Sequence, residues 1–264
     1  MALPLHHERS GSGSPLVLVH GLGSNLRIWH PIRTALARKH EVVALDLPGF
    51  GESPSLPDGV RRDVPSLVSA LEEWLDERGI GDPHVAGNSM GGLIALELAA
   101  RGQARSAVAL GPVGFGSGLE NKLSKAILRM QRVAARVLAP VAGHATRRPA
   151  ARAMLLGTTC ARPWRIPPAE AVHMITDYAR APGLRRTLDP LFDESPRDLE
   201  AIRCPVAVLW GTRDLILPVT GASRVKRRIP HAQVHRLPGL GHIPTFDDPE
   251  RVVEGILDVT GGSE

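Results

Sequence analysis

Two rhythms alternate along the first part of the chain. The short runs Leu16-Val17-Leu18-Val19, Val42-Val43-Ala44-Leu45, His84-Val85-Ala86 and Ala107-Val108-Ala109-Leu110 have strand length and carry almost no charge. Runs of this kind predict strands buried on both faces. Between them lie stretches of helical character, among them Ser66 to Glu77 and Met90 to Ala100, the latter dense in Leu, Ala and Glu. Strand and helix in alternation predict a parallel sheet joined by crossover helices.

The alternation stops at Gly111. From there to Asp198 no strand-like run occurs, while Leu123, Ala126, Ile127, Met130, Val133, Ala134 and Val137 recur at helical spacing with Lys and Arg between them. A second helical stretch, Ala169 to Ala181, follows Pro167-Pro168, and proline suits the first turn, where its missing N–H costs nothing. The sheet pattern resumes with Val206-Ala207-Val208-Leu209, a helix from Thr220 to Arg228, a strand from Val234 to Leu237 and a closing helix from Pro249 to Val259. Asp247 and Asp248 are expected to cap that last helix. The organisation expected is an α/β core made of residues 1–112 and 199–264, with 113–198 inserted as a helical cap, or lid. The apolar face of the 121–139 helix is expected to cover a cleft rather than lie on a membrane.

Charge changes this picture in one place. The net charge is +5, yet segment 113–198 holds 14 Lys/Arg against 7 Asp/Glu, and the rest of the chain 18 against 20. The basicity is therefore local to the cap. It is not interleaved with stacking aromatics and no nucleic-acid motif accompanies it, so nucleic acid is not an expected partner. A solvated surface, or attraction for anionic or polar-tailed substrates, is the expected consequence. With only four Phe, four Trp and one Tyr, any cleft is expected to be mainly aliphatic.

Cys160 and Cys204 show neither metal spacing nor a disulfide framework, which suits a reducing interior. The opening Met1 to Glu8 has neither the basic start nor the apolar core of a leader, and no run approaches the ~20 apolar residues of a membrane helix. The expectation is a cytoplasmic protein without stable membrane insertion, as a monomer or a homodimer. Gly21 and Gly23 suggest a dinucleotide loop, but the third position is Leu26, and no lysine follows a glycine as a phosphate loop requires. No cofactor and no metal are expected.

The chemistry lies elsewhere. Gly87-Asn88-Ser89-Met90-Gly91 is a G-x-S-x-G pentapeptide placed between an apolar run and a helix. A serine on so tight a turn needs small neighbours, which leave its hydroxyl exposed. The pentapeptide alone is weak, because chance produces it in a glycine-rich chain. Two further loops beyond strand ends carry Asp214, in Trp210-Gly211-Thr212-Arg213-Asp214, and His242, in Gly239-Leu240-Gly241-His242. A hydroxyl becomes a nucleophile when a histidine removes its proton, and a carboxylate holds that histidine in the right tautomer. Asp is also common in ordinary turns, but no rival acid follows Leu110, where Gly111-Pro112-Val113 stands.

These residues, with His20-Gly21-Leu22-Gly23 and Asp46-Leu47-Pro48-Gly49-Phe50-Gly51-Glu52-Ser53, make the chain resemble the α/β-hydrolase superfamily almost end to end. The order serine, acid, histidine is the order of that fold. At the N-terminus only Leu5 to Glu8 is available for an antiparallel strand. The resemblance implies a Ser89–Asp214–His242 triad and an oxyanion hole built from the backbone N–H groups of Leu22 and Met90. It implies a structural role for His20, holding its loop.

The resemblance implies a serine hydrolase that cleaves a carboxylic ester of a small to medium acyl substrate through an acyl-enzyme on Ser89. A C–C bond hydrolase of ring-fission products is the runner-up, since Gly-Asn-Ser-Met-Gly-Gly resembles that group's elbow. Ile243 departs from the tryptophan usual there after the histidine. Cofactor-free perhydrolase or haloperoxidase chemistry and thioester or lactone hydrolysis use the same triad. A ligand receptor on a hydrolase scaffold belongs to a different class altogether.

Overall fold

The computed structural model describes residues 2–193 and 195–261. Seven strands form one sheet in the order β1-β3-β2-β4-β5-β6-β7. They are β1 (His7–Ser10), β2 (Pro15–Val19), β3 (Glu41–Leu45), β4 (His84–Asn88), β5 (Ser106–Leu110), β6 (Val206–Gly211) and β7 (Gln233–Leu237). All neighbours are parallel except β1, which pairs antiparallel with β3 so that His7 faces Leu45 and Ser10 faces Val42. The N-terminal strand thus lies two residues beyond the Leu5 to Glu8 expected for it. Leu5 is instead buried before the strand, where it joins the core.

Period two along each strand divides the core into two layers. Val17, Val19, Val43, Leu45, Val85, Val208 and Trp210 face one layer, and Leu16, Leu18, Val42, Ala44, Ala86, Ala207 and Leu209 face the other. Helices α2 (Val64–Glu77) and α3 (Met90–Ala100) cover the first layer, with Leu67, Leu71, Trp74 and Ile94. Helix α1 (His30–Leu36) and the C-terminal helix cover the second, with Ile32, Leu36, Val252 and Ile256. Every residue from Met90 to Ala99 is buried, which explains why α3 is apolar on all sides rather than amphipathic.

The cap lies between β5 and β6. It comprises α4 (Gly118–Leu138), α5 (Ala142–Ala145), α6 (Pro149–Leu156), α7 (Pro168–Arg180) and α8 (Leu184–Asp193). The chain then closes the fold with α9 (Gly221–Arg228), α10 (Pro244–Asp247) and α11 (Pro249–Thr260).

Helix α4 is turned differently from the sequence expectation. Its buried residues are Ser124, Leu128 and Ala135, while Leu123, Met130, Val133 and Val137 are 56%, 64%, 65% and 70% exposed. The cause is the C-terminus of α7, whose last carbonyls have no partner within their own helix. Arg132 donates to the carbonyls of Tyr178 (3.2 Å) and Ala181 (2.9 Å), and Arg136 to that of Ala179 (3.4 Å). Drawing these arginines inward rotates the apolar stripe outward. No helix among the described residues is long and apolar enough to cross a membrane.

Two buried histidines give the fold a pH dependence. His84 Nδ1 lies 2.8 Å from Ser106 Oγ, His40 Nε2 lies 2.8 Å from Thr260 Oγ1, and the two rings meet edge to face at 5.3 Å. Burial lowers both pKa values, and the neighbouring His40 and Arg105 help bring His84 down to about 4. The unfolded chain protonates near its ordinary value of 6.5, the folded His84 only near 4. This contribution to stability is therefore complete above that ordinary value and is lost as pH falls toward 4. Urea titrations should show stability falling across that window by on the order of 1 kcal/mol through His84. His84→Gln should flatten the slope there; an unchanged slope would remove His84 as its source.

Candidate active site

At the end of β4 the backbone turns abruptly. Ser89 sits at φ 58° and ψ −114°, a positive-φ conformation strained for any side chain. Its N–H donates to Leu110 O at 2.8 Å and its carbonyl accepts from Leu93 N at 3.1 Å, so the strained residue is held from both sides. The flanking glycines are required by contact. A Cβ on Gly87 would overlap the carbonyl of Gly91, and one on Gly91 would overlap the carbonyl of Val19 in β2. No capping hydrogen bond engages the Ser89 side chain, and the residue lines the main cavity.

The crevice has a topological origin. From β2 the chain goes to β3 on one side and then to β4 on the other, so the loops after β2 and β4 diverge at the strand ends. At their first residues, before they part, the two loops are in contact: a Cβ on Gly21 would lie 3.1 Å from Ser89 Cβ. In the loop after β2, His20 accepts from Leu47 N through Nε2 at 2.9 Å and donates through Nδ1 to Gly21 O at 2.7 Å. Complete burial lowers its pKa, and the two bonds fix one neutral tautomer. His20 holds the loop, as expected for it. The N–H groups of Leu22 and Met90 have no hydrogen-bond partner among the described residues, which leaves them available to a ligand oxygen.

Asp214 and His242 arrive from the ends of β6 and β7. His242 Nδ1 and Asp214 Oδ2 are 2.8 Å apart, and both residues are buried. The other carboxylate oxygen, Oδ1, accepts from Ile216 N at 2.9 Å and Leu217 N at 2.8 Å. The carboxylate is thereby oriented from one side by backbone and from the other by imidazole. Gly111, after β5, makes room for the pair, since a Cβ there would stand 3.1 Å from Asp214 Oδ2.

Three residues that sequence reasoning did not single out for positioning hold the histidine loop. Asn88 donates through Nδ2 to the carbonyl of His242 at 2.9 Å and to that of Leu110 at 3.2 Å. Thr159 O, in the cap, accepts from both His242 N (2.9 Å) and Ile243 N (3.1 Å). Asp247 is buried and accepts from Gly241 N at 2.7 Å, Ala161 N at 2.9 Å and Arg162 N at 2.7 Å. Only Asp248 caps α11, by accepting from Arg251 N at 3.3 Å. Asp247, expected to share that task, instead ties the histidine loop to the cap, because its side chain points toward backbone donors that have no other partner. The signal available in the sequence was the pair of adjacent Asp residues where one cap suffices.

The cavity above Ser89 encloses about 1200 Å³, its open mouth included. Leu128, Leu138, Leu155, Leu156, Met174 and Ile175 give it aliphatic walls, in line with the scarcity of aromatic residues. The basic residues of the cap do not reach the lining. No Lys or Arg of segment 113–198 is among the lining residues, which include Arg27, Glu170 and Asp177. Arg27 is engaged by Glu170 at 2.8 Å, and Asp177 accepts from Asn25 at 2.8 Å. Several basic side chains of the cap are engaged away from the cavity, Lys125 and Arg129 by Asp189 and Asp193, and Arg132, Arg136 and Arg152 by carbonyls.

Over 258 residues the chain is 29% identical to a dihydrolipoyllysine-residue acetyltransferase component of an acetoin cleaving system from Pseudomonas putida. That match covers 93% of this chain and 63% of the relative, so the chain spans less than two thirds of the relative's length. Over 92 residues, 35% of this chain and 34% of the relative, it is 45% identical to a pimeloyl-acyl-carrier-protein methyl ester esterase from Aeromonas hydrophila. Among solved structures, a thermophilic esterase from Thermogutta terrifontis superposes with a TM-score of 0.76 at 25% identity, over 96% of this chain and 92% of that one. Residues 16–255 match the model of the alpha/beta hydrolase family, and with the sheet order, the strained serine turn and the strand-end loops described above, the chain belongs to that family.

Proposed function

We propose that the protein is a serine hydrolase that cleaves carboxylic esters through an acyl-enzyme on Ser89. The observation that carries this reading is the 2.8 Å His242–Asp214 pair, whose histidine lines the same cavity as a serine held at φ 58°. Ser89 Oγ attacks the ester carbonyl while His242 Nε2 takes its proton, and the imidazolium so formed is stabilised by Asp214. The carbonyl oxygen gains charge between the N–H groups of Leu22 and Met90, which stabilise it only as that charge develops. His242 then returns the proton to the leaving alcohol. Water, deprotonated by the same nitrogen, attacks the acyl carbon and releases the acid and Ser89.

The test is labelling with a fluorophosphonate, with the modified residue located by mass spectrometry, alongside a panel of chromogenic esters. An adduct on Ser89 and ester turnover are expected; a protein that takes no label and turns over no ester would overturn the reading. Thioesters, lactones and a dienoate C–C substrate complete the panel, because their carbonyls would meet the same groups. Asn88, one residue of the Gly-Asn-Ser-Met-Gly-Gly elbow that supports the C–C reading, donates to the His242 carbonyl.

The cavity also sets an expectation for substrate charge. With Glu170 and Asp177 against one ion-paired Arg27, neutral medium-chain esters should be preferred over esters with a carboxylate in the acyl tail. The expected ratio of kcat/KM is roughly tenfold, equivalent to about 1.4 kcal/mol, and it should shrink with added salt. Faster turnover of the carboxylated ester would show that Arg27 leaves Glu170 to bind substrate.

A further inference from the structure

The face of α4 that points away from the protein is the most unusual surface of the molecule. Leu119, Leu123, Met130, Val133 and Val137 share it, each more than half exposed, and Val141 extends it beyond the helix. Lys122 and Arg129 lie seven residues apart along one edge of this stripe, Arg129 against Asp189. The only carboxylate on the helix, Glu120, is turned away, toward Ser117, Thr220 and Arg224. Asp189 and Asp193 pair with Lys125 and Arg129, while Lys122, Arg147 and Arg148 have no acidic partner among the described residues. An apolar stripe of this extent with a cationic border is costly to leave in water.

We propose that this face of the cap docks on a lipid bilayer containing anionic phospholipid. The stripe would enter the boundary between headgroups and acyl chains, and the basic edge would meet the phosphates. A second copy of the chain fits less well in the antiparallel twofold pairing of α4, which would bring two cationic borders together. The stripe also leads to the cleft: Ala134 and Leu138, on adjoining faces of α4, line the cavity above Ser89, as does Leu155 beside the exposed Met154 on α6. Docking here would place the mouth of the cavity next to the bilayer. No step of this proposal depends on the chemistry of Ser89.

Co-sedimentation with vesicles tests it, using phosphatidylcholine alone and phosphatidylcholine with about one third phosphatidylglycerol. The Ser89→Ala protein is used beside the native chain, so that binding is scored without turnover and stands apart from the hydrolase reading. Binding to the anionic vesicles is expected, weaker on the neutral ones and weakened by salt. Val133→Glu with Val137→Glu should reduce binding at least tenfold, and Lys122→Glu with Arg148→Glu should remove the preference for anionic lipid. The Val133/Val137 variant should keep its thermal midpoint and its turnover of a short soluble ester, since neither residue lines the cavity. Absence of vesicle binding, or binding that survives loss of the stripe, would overturn the proposal. So would a native dimer that these glutamates dissociate without any binding to vesicles.

Discussion

Ser89→Ala should lower kcat for ester hydrolysis by roughly 10⁴- to 10⁶-fold and leave the fold intact, because the alanine still fits the turn while no nucleophile remains. The turn is maintained by backbone bonds to Leu110 O and from Leu93 N, which alanine keeps, and by glycine contacts that the substitution does not touch. Asp214→Asn should be nearly as severe, roughly 10⁴-fold, for a different reason. An amide at the 2.8 Å contact with Nδ1 favours the tautomer that places the proton on Nε2, where the base must be free. In both variants KM should change little, since neither side chain provides the aliphatic walls. Steady-state kinetics with a medium-chain chromogenic ester decide it. Turnover by Ser89→Ala within tenfold of the native protein would mean that another residue carries the reaction.

The parts of the site most legible in the sequence were those that depend on local geometry. Gly87 and Gly91 announce the turn because no other residue fits, and the apolar runs at Leu16 to Val19 and Ala107 to Leu110 announce central strands because both faces are buried. Asp214 and His242 were legible from their places beyond strand ends, where a parallel sheet presents loops to one edge. What escaped were residues whose roles depend on a partner distant in sequence. Asn88 acts on a carbonyl 154 positions away, and Asp247 on N–H groups of Ala161 and Arg162, 86 and 85 positions away. Helix α4 failed for a related reason. Its periodicity shows an apolar face but not which side the protein uses, and here carbonyls at the end of α7 decide through Arg132 and Arg136.

Asp247→Ala is expected to have the largest effect of any substitution away from the cavity. Its carboxylate is buried and accepts three backbone N–H bonds, from Gly241, Ala161 and Arg162. Removing it leaves these donors without partners, at ~1–3 kcal/mol for each that water does not reach. Gly241 lies in a buried stretch while Ala161 and Arg162 are partly accessible, so a total loss of about 3 kcal/mol is expected, lowering Tm by roughly 6–12 °C. The kinetic consequence follows from what the three bonds join. Thr159 O holds His242 N and Ile243 N, and the segment that carries Thr159 is itself anchored two and three residues later by Asp247. Loosening that anchor frees the imidazole to turn, so kcat should fall roughly 10- to 100-fold with a smaller change in KM. Asp247→Asn should lie between the two: its single oxygen can still accept from Gly241 and Ala161, but its amide then faces the N–H of Arg162, donor against donor. Asp248→Ala is the internal comparison, for it removes only a cap from α11, at a cost of about 1 kcal/mol and with no effect on kcat. Denaturant titrations and ester kinetics on the three variants separate the roles. If Asp247→Ala matched Asp248→Ala in both stability and kcat, the carboxylate would be an ordinary helix-end acid, and the link between cap and histidine loop would rest on Thr159 alone.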